Sequence, residues 1–131
     1  MELVNKLDYK NIINLKSISD KNIKLEKILK KKFKFKNFYS DYRKILNDKE
    51  IDVVLILTSM KEHAAIAKEA LLNRKHVLVE KPMATNMKDL KELYRIARKS
   101  KTFLIAAPFV ILSPTFQAIH QELNKNTIGK V

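Results

Sequence analysis

Glycine is nearly absent from this chain of 131 residues. The only one is Gly129, whereas an average usage of about 7% would give roughly nine. Folds that hold phosphate groups in a glycine-rich loop need several glycines close together at the start of a helix. These residues cannot form such a loop, so a phosphate-binding turn of that kind has to come from elsewhere.

Cysteine is absent too, which excludes disulfide bonds and thiolate metal sites and fits a reducing compartment. Even the longest apolar run, Val53 to Leu57, is far too short to cross a bilayer. The first residues lack the basic-then-apolar order of a secretory signal. We therefore expect a cytoplasmic protein that does not engage a membrane.

Positive charge dominates the sequence, with a formal net charge of +13. Its densest segment runs from Lys30 to Lys36 and includes Phe33 and Phe35. Lysines neutralise phosphates and aromatic rings stack on bases, so one interpretation is a nucleic-acid-binding patch. The other is a solvated helix end that continues into a short strand. Because no nucleic-acid-binding motif accompanies the charge, we favour the solvated helix and expect no nucleic-acid partner.

Short apolar runs alternate with amphipathic helical patterns along the chain. The predicted strands are Ile13–Ser19, Phe35–Tyr39, Ile51–Leu57, His76–Val79 and Phe103–Ala107. The predicted helices are Asn22–Lys31, Asp41–Leu46, Lys61–Leu72, one that follows Asn86, and Pro114–Leu123. Strands of about five residues that alternate with helices of about twelve are typical of βαβ units. We therefore predict an α/β fold, a Rossmann-like doubly wound parallel sheet.

Some of these elements carry more specific expectations. The β-branched run Ile51–Leu57 predicts a strand covered on both faces. Asn86 is predicted to cap the helix that follows it, with Asp89 in the capping-box position. The predicted apolar helix contacts are Ile23, Ile28, Leu29, Met87, Leu90, Leu93, Tyr94, Ala97, Phe116, Ile119 and Leu123.

The segment from Ile51 to Ala84 carries a family resemblance. It contains the strand Ile51–Thr58, then His63, then Ala70-Leu71, and ends in Lys75-His76-Val77-Leu78-Val79-Glu80-Lys81-Pro82-Met83-Ala84. With Asp41-Tyr42 upstream and Ile128–Val131 at the end, this pattern resembles the glucose–fructose oxidoreductase / inositol dehydrogenase / MocA family. The resemblance covers roughly Leu15 to Val131. A lone Glu-Lys-Pro means nothing, but after a strand, a helix and a buried strand it is specific.

The resemblance implies a two-domain enzyme that transfers a hydride between NAD or NADP and a secondary alcohol of a sugar, cyclitol or related polyol. Full-length relatives are expected to be homo-oligomers. Against that pattern, residues 1–131 are expected to form a partial dinucleotide-binding domain that lacks the first, glycine-loop strand and the C-terminal substrate domain. Such a chain would be inactive alone. The alternative is a non-enzymatic or degenerate remnant that acts only by association with another chain.

Lys81 is the catalytic residue that the resemblance implies. It follows a strand at its C-terminal end, where ligands bind in open parallel sheets, and in similar enzymes this lysine lies beside the nicotinamide and the reacting hydroxyl. Glu80 is expected to orient Lys81 and hold its charge or to accept a hydrogen bond from a cofactor amide, and Pro82 to fix the turn. Taken alone, Lys81 is an exposed lysine in a lysine-rich chain, and Glu80 and Pro82 are ordinary loop residues.

Four further residues are expected to contact the cofactor. Asp20 follows a predicted strand, where a carboxylate binds the adenosine ribose of NAD and repels the extra phosphate of NADP; the neighbouring Lys21 weakens that discrimination. Asp20 also suits a helix N-cap, and one residue can do both. Thr58 and His63 match the loop that passes over the dinucleotide in the family, and Ser59 lies in that loop. The alternative for His63 is a helix-start residue that touches the loop.

The chain departs from the family pattern at two places. Ser59-Met60 replaces the usual Pro-Asn, which puts the cofactor contacts of those positions in doubt. Arg74 stands where the family usually has a helix-ending glycine, and Asn73 is expected to take the left-handed conformation instead. His76 and His120 have no metal-ligand partners in the sequence, so we expect structural roles for both and no metal.

Overall fold

The computed structural model describes residues 13–107, 113–125, 127 and 129. The strands among them are β1 Ser17–Ser19, β2 Asn37–Tyr39, β3 Val53–Ile56, β4 His76–Val79 and β5 Leu104–Ala106. The helices are α1 Leu25–Lys32, α2 Arg43–Leu46, α3 Met60–Leu72, α4 Met87–Ser100 and α5 Pro114–Asn124. Every predicted strand and helix is present, mostly a few residues shorter than predicted. None of the helices within the described ranges is long and apolar enough to span a bilayer.

The strands form two parallel sheets. β3, β4 and β5 pair in that order, with Leu55 opposite Leu78 and Leu78 opposite Ile105. β1 pairs with β2, with Ile18 opposite Phe38. The predicted parallel α/β arrangement is therefore confirmed. Among the described residues β1 and β3 are not paired with each other, and between them lies the position of the first strand in the 3-2-1-4-5-6 order.

The buried core lies on one face of the β3–β4–β5 sheet, which we call the covered face. Its strand residues are Ile56, Val77 and Val79, each at most 2% exposed. Helices α3 and α4 pack on this face and on each other, and contribute Ile66, Ala67, Ala70, Leu71, Leu93 and Ala97. The small alanines of α3 let the helix approach the sheet closely, so the aliphatic strand residues lose almost all contact with water.

The opposite, open face of the same sheet is not covered. Val53 is 57%, Leu55 43% and Ile105 47% exposed. The prediction of a β3 strand covered on both faces was therefore wrong for the described residues. A run of β-branched and leucine residues fixes the strand conformation, whereas burial of each face depends on which elements pack over it.

The predicted apolar helix faces are buried only in part. In α4, Leu93 and Ala97 are buried, whereas Met87 and Tyr94 are exposed at the edges of the predicted stripe. In α1 and α5 no residue is buried, and three of their predicted contact residues are exposed: Ile28, Phe116 and Ile119. Ile23, which lies just before α1, is exposed as well. Amphipathic periodicity thus identified the helices correctly but overestimated how much of each apolar stripe meets the core.

The two predicted helix ends have opposite outcomes. At the start of α4 the Asn86 side chain accepts a hydrogen bond from the Asp89 N–H (2.9 Å) and donates to the Asp89 carboxylate (2.7 Å), which confirms the capping box. At the end of α3 it is Arg74 itself that takes a left-handed φ of 57°. Asn73 stays at φ −84° and donates through its side chain to the Glu69 carbonyl oxygen (2.8 Å). The expectation that Asn73 would take the left-handed conformation was therefore wrong.

We predict that Arg74→Gly stabilises the fold by about 0.5–1 kcal/mol. A side chain in the left-handed region costs about 1–2 kcal/mol, part of which is offset by the greater freedom of glycine in the unfolded chain. Asn73→Gly is the matched control and should destabilise, because it loses the bond to Glu69 without relieving a left-handed residue. Urea unfolding of the three proteins measures the difference, and equal loss of stability in both variants would contradict the strain at Arg74.

An ion cluster joins the start of β1 to the turn before β3. Lys16 Nζ lies 2.7 Å from an Asp48 carboxylate oxygen and also pairs with Glu50. Hydrogen bonding to Lys16 lowers the pKa of both carboxyls, and the two carboxylates raise the pKa of Lys16. The two sheets are thus held together by charge at this end.

Acid should weaken this connection. Because folding lowers the pKa of Asp48, its contribution to stability is complete above its unfolded pKa, near pH 4, and is lost as pH falls through the lower folded value. We predict that Asp48→Asn lowers the melting temperature at pH 6 and flattens its fall below about pH 4. The control is Asp52→Asn, at an exposed aspartate without an ion-pair partner among the described residues. Parallel acid profiles for the wild type and Asp48→Asn would contradict the role of the cluster.

Candidate active site

The predicted site residues lie just after the carboxyl ends of three parallel strands. Asp20 follows β1, Thr58 and Ser59 follow β3, and Glu80 to Pro82 follow β4. In open parallel sheets this edge is where ligands bind, because the loops there converge and helices begin. The α/β pattern therefore places all of these residues at one edge, as the sequence indicated.

His63 links two of these loops. It lies in the first turn of α3, is 1% exposed, and belongs to the largest fully buried side chains of the described chain. Its Nδ1 lies 2.8 Å from the carbonyl oxygen of Pro82, and its Nε2 lies 3.0 Å from that of Thr58. One ring thus ties the loop after β3 to the loop after β4.

Both partners of His63 are acceptors. A ring nitrogen donates only when it carries a proton, so both contacts are hydrogen bonds only in the doubly protonated ring. A ring with one proton donates to one carbonyl and presents a lone pair to the other. In both cases the polar contacts of the ring are with backbone oxygens of the two loops, so we expect His63 to affect bound ligands through those loops.

Lys81 is exposed, and its ammonium has no ion-pair or hydrogen-bond partner among residues 13–107 and the described part of the C-terminal segment. Its backbone N–H donates to the neighbouring Glu80 carboxylate (3.0 Å). That carboxylate therefore contacts the Lys81 backbone rather than its ammonium. The Lys81–Pro82 peptide bond is cis. Because Glu80 contacts only the Lys81 backbone, the ammonium of Lys81 is exposed to solvent at the edge of the sheet.

Asp20 lies at the end of β1 and its Oδ1 accepts a hydrogen bond from the Asn22 N–H (2.7 Å). The expected helix N-cap was therefore wrong: α1 begins at Leu25 with Lys24 as its N-cap, and the Asp20 carboxylate satisfies a backbone donor in the turn before it. The next residue, Lys21, forms an ion pair with Glu62 on α3 (2.6 Å). The hydrogen bond from Lys21 lowers the pKa of the Glu62 carboxyl. Glu62 also accepts a hydrogen bond from the Ser59 hydroxyl (3.2 Å).

Two polar residues with contacts between elements were not identified from the sequence, one at the site and one at the opposite edge of the sheet. Glu62 connects α3 to the end of β1, and the signal for it was the Ser59-x-x-Glu62 spacing of a helix start. Lys75 is 7% exposed and donates to the carbonyl oxygens of Asp48 (2.6 Å) and Ile51 (2.8 Å). Lysine is seldom buried unless paired, and its place beside β4 gave no sign of these two distant carbonyls.

The structure thus brings Thr58, His63 and Pro82 into direct contact, and it places Asp20 and Lys81 at the same edge without contact between them. The edge is open rather than enclosed. A surface depression lies elsewhere, on the outer side of α4, lined by Met87, Leu90, Lys91, Tyr94, Arg95, Arg98 and Lys99. It holds none of the predicted site residues.

The strand ends suit a dinucleotide in part. A carboxylate after β1 fits ribose hydroxyls, and an unpaired ammonium after β4 fits a reacting oxygen. A glycine turn for the pyrophosphate is not found in the described residues, where Gly129 stands alone in open space. A parallel α/β sheet with these groups at its carboxyl edge defines the class of Rossmann-fold dehydrogenase domains.

The comparison with family models agrees. Residues 3–107 match the model of the oxidoreductase family with an NAD-binding Rossmann fold that includes the glucose–fructose oxidoreductase, inositol dehydrogenase and MocA proteins. The chain belongs to this family. The family membership that the sequence indicated and the predicted α/β Rossmann fold are therefore confirmed, and so is the assignment of NAD as the family's cofactor.

Individual relatives point the same way. The chain is 33% identical to trans-1,2-dihydrobenzene-1,2-diol dehydrogenase of Danio rerio over 93 residues. These residues make up 71% of this chain and 28% of that enzyme. A probable dehydrogenase from Thermotoga maritima superimposes with a TM-score of 0.83 at 26% identity, over 92% of this chain and 37% of that one. The structure of levoglucosan dehydrogenase in complex with NADH and levoglucosan superimposes with a TM-score of 0.80 at 29% identity. The match covers 88% of this chain and 31% of that one. The chain thus spans about a third of the length of these proteins.

We predict that His63→Phe destabilises the fold by about 1–2 kcal/mol, because the ring volume is kept while both carbonyl contacts are lost. His63→Gln should recover part of the loss, since its amide can donate to one carbonyl. The exposed His120→Phe on α5 is the control. Amide exchange should rise at Thr58, Ser59 and Lys81 in the phenylalanine variant only, and unchanged exchange there would contradict the role of His63 in joining the loops.

Proposed function

We propose that this chain forms the dinucleotide-binding part of an oxidoreductase that transfers a hydride between NAD and a secondary alcohol of a sugar, cyclitol or related polyol. The observation that carries the proposal is the exposed ammonium of Lys81 after β4, which has no ion-pair partner among the described residues. It shares one sheet edge with Asp20 and Thr58. The two named relatives, a dihydrodiol dehydrogenase and a levoglucosan dehydrogenase, support the substrate class.

Lys81 is the proposed catalytic residue. The cofactor supplies a carbon that accepts or donates a hydride. As the alcohol carbon gives up its hydride, the alcohol oxygen must also lose its proton, and negative charge develops on that oxygen. The Lys81 ammonium would stabilise this charge, and in the reverse direction it would polarise the carbonyl. A lysine at the open edge can also relay the proton to water.

Asp20 is the proposed ribose-binding residue. Its Oδ1 holds the turn to Asn22, and its second carboxylate oxygen is available to accept from ribose hydroxyls. The positive charge of Lys21 is compensated by Glu62 at 2.6 Å. A 2′-phosphate would therefore meet the Asp20 carboxylate beside a lysine whose charge is already paired, which favours NAD over NADP.

The remaining predicted contacts belong to the two loops. Thr58 and Ser59, after β3, are proposed to border the dinucleotide, and Glu80 and Pro82, after β4, to shape the nicotinamide end. His63 is proposed to act by holding both loops through their carbonyl oxygens, at 3.0 and 2.8 Å. Such fixed loops would present Lys81 in one orientation.

We also propose that the glycine turn and the substrate-binding domain lie on polypeptide outside these 131 residues, and that these residues alone bind NAD weakly and oxidise no polyol. The support is the single glycine of the sequence and the 28% coverage of the Danio rerio enzyme. We place the assembled enzyme in the cytoplasm, consistent with the absence of cysteine.

The catalytic proposal is tested in a fusion that adds a family glycine-loop strand and the C-terminal domain of levoglucosan dehydrogenase. We predict that Lys81→Ala lowers kcat of the fusion by about 100-fold or more while NAD binding changes little. Lys88→Ala, an exposed lysine on α4, is the matched control.

Calorimetric titration with NAD measures binding to the bare chain and to the fusions. Activity that survives Lys81→Ala would show that another residue is catalytic. Micromolar NAD binding by the bare chain would contradict the need for an added glycine turn.

A further inference from the structure

The acidic and basic side chains of α4 lie on different sides of the helix. Asp89 and Glu92 line the contact with α3, together with Lys61 and Lys68 of that helix. Glu92 pairs with Lys68 at 2.8 Å, and the Asp89 carboxylate accepts a hydrogen bond from the Asn86 side chain (2.7 Å). Both carboxylates of α4 are therefore already engaged.

The basic side chains line the depression on the outer side of the helix. All four are exposed, and they are Lys91, Arg95, Arg98 and Lys99. None of them forms an ion pair or a side-chain hydrogen bond within the part of the chain that the structure describes. Arg98 and Lys99 lie in the last turn, where cations stabilise the end of a helix. Lys91 and Arg95 lie inside α4, so the helix end does not explain their charges.

Three apolar side chains share this depression with the cations: Met87, Leu90 and Tyr94. Met87 is 62% and Tyr94 55% exposed, and Leu90 is partly buried. Methionine, tyrosine and arginine are enriched in protein interfaces relative to the rest of the surface. We call the seven residues of the depression the basic flank of α4, and its composition is that of a protein-binding surface.

The spacing of the basic flank predicts the shape of its partner. The apolar residues follow at i, i+3 and i+7 from Met87, and the central cations at i, i+4 and i+7 from Lys91. Two helices that pack at a small angle repeat their contacts at these intervals. An extended chain presents every second residue instead. From Met87 to Arg98 the flank is about 16 Å long, which matches a helix of about three turns.

The charge of the basic flank selects an acidic helix. Each arginine can bind a carboxylate through two N–H groups. A two-fold dimer of this chain would place the same cations against each other, and the net charge of +13 adds to that repulsion. A nucleic acid would pair with the cations and leave Met87 in water. A membrane would require the main apolar side of α4, where Leu93 and Ala97 are buried against the rest of the fold.

We propose that the basic flank of α4 binds an acidic amphipathic helix of another protein. The apolar side chains of that helix cover the three apolar residues of the flank, and its carboxylates pair with Lys91, Arg95 and Arg98. No residue of the flank belongs to the candidate active site, so this inference does not depend on the catalytic role of Lys81.

The probe is an acetylated and amidated peptide of about 18 residues, because shorter isolated helices are barely stable in water. It carries leucines at helical spacing on one side, glutamates on both sides of that stripe, and alanines elsewhere. A second peptide has glutamine in place of every glutamate, and a third has the same residues in an order that breaks the stripe. Titration of the full chain, followed by backbone NMR, measures the affinity and maps the contact. We expect the first peptide to bind at α4 and the other two about tenfold more weakly or worse.

Charge reversal tests the cations of the flank. Lys91→Glu combined with Arg95→Glu should weaken binding of the acidic peptide about tenfold or more, because two ion pairs are replaced by repulsion. A peptide with lysine in place of glutamate should bind this variant more tightly than it binds the wild type. The matched control is Lys27→Glu combined with Lys31→Glu on α1, which has the same spacing and the same change in net charge. It should change the affinity less than about threefold.

Tyr94→Ala tests the apolar part of the flank and should weaken binding about fivefold or more, because an exposed aromatic ring is removed from the contact. Circular dichroism confirms that each variant is folded. If one of the α4 variants is not, the other variant and the altered peptides decide.

The proposal is overturned if the acidic peptide does not bind, or if the glutamine peptide binds as tightly. It is overturned as well if the α4 and α1 charge reversals weaken binding equally, because net charge alone then attracts the peptide. Parallel titrations use a single-stranded oligonucleotide and vesicles of phosphatidylcholine and phosphatidylserine. If the α4 signals respond to one of these and not to the peptide, the flank binds that partner instead and the proposal is wrong.

Discussion

The close contact between α3 and β4 is the constraint on which the rest of this structure depends. Ala67, Ala70 and Leu71 of the helix are fully buried, as is Val79 of the strand. This contact fixes where β3 ends and α3 begins, and where β4 ends in Glu80 and Lys81. Lys75 closes the opposite edge by capping two carbonyls of the turn before β3. The candidate site is thus positioned by packing on one face of a three-stranded sheet.

Much of the architecture could be predicted from local sequence. The β-branched runs predicted β3 and β4, and their alternation with helices predicted parallel strands. The capping box of Asn86 and Asp89 is formed as expected. Each of these features depends on residues that are neighbours in the chain. What failed depends on distant residues. Whether Val53 is covered depends on what lies over the sheet, and whether Asn73 or Arg74 turns left-handed depends on how the chain enters β4.

In the candidate site, too, the features that depend on local sequence could be predicted and those that depend on distant residues could not. Its location could be predicted because the carboxyl ends of parallel strands share one edge, and the Glu80-Lys81-Pro82 motif marked that edge. The contacts of Glu62 with Lys21 and of His63 with Pro82 could not, because they join residues 41 and 19 positions apart. Only the first of these contacts involves a lysine, Lys21, whose charge is paired with that of Glu62.

The attachment of His63 has a consequence for sequence divergence. The ring holds the two loops through the backbone oxygens of Thr58 and Pro82, and every residue type offers such an oxygen. Side chains in the loops can therefore be exchanged while the anchor stays the same. Ser59-Met60, at the place where the resemblance implies Pro-Asn, therefore leaves this anchor in place. A substitution of His63, by contrast, would remove both contacts at once, so the position of the two loops depends on a buried histidine more than on the side chains of the loops themselves.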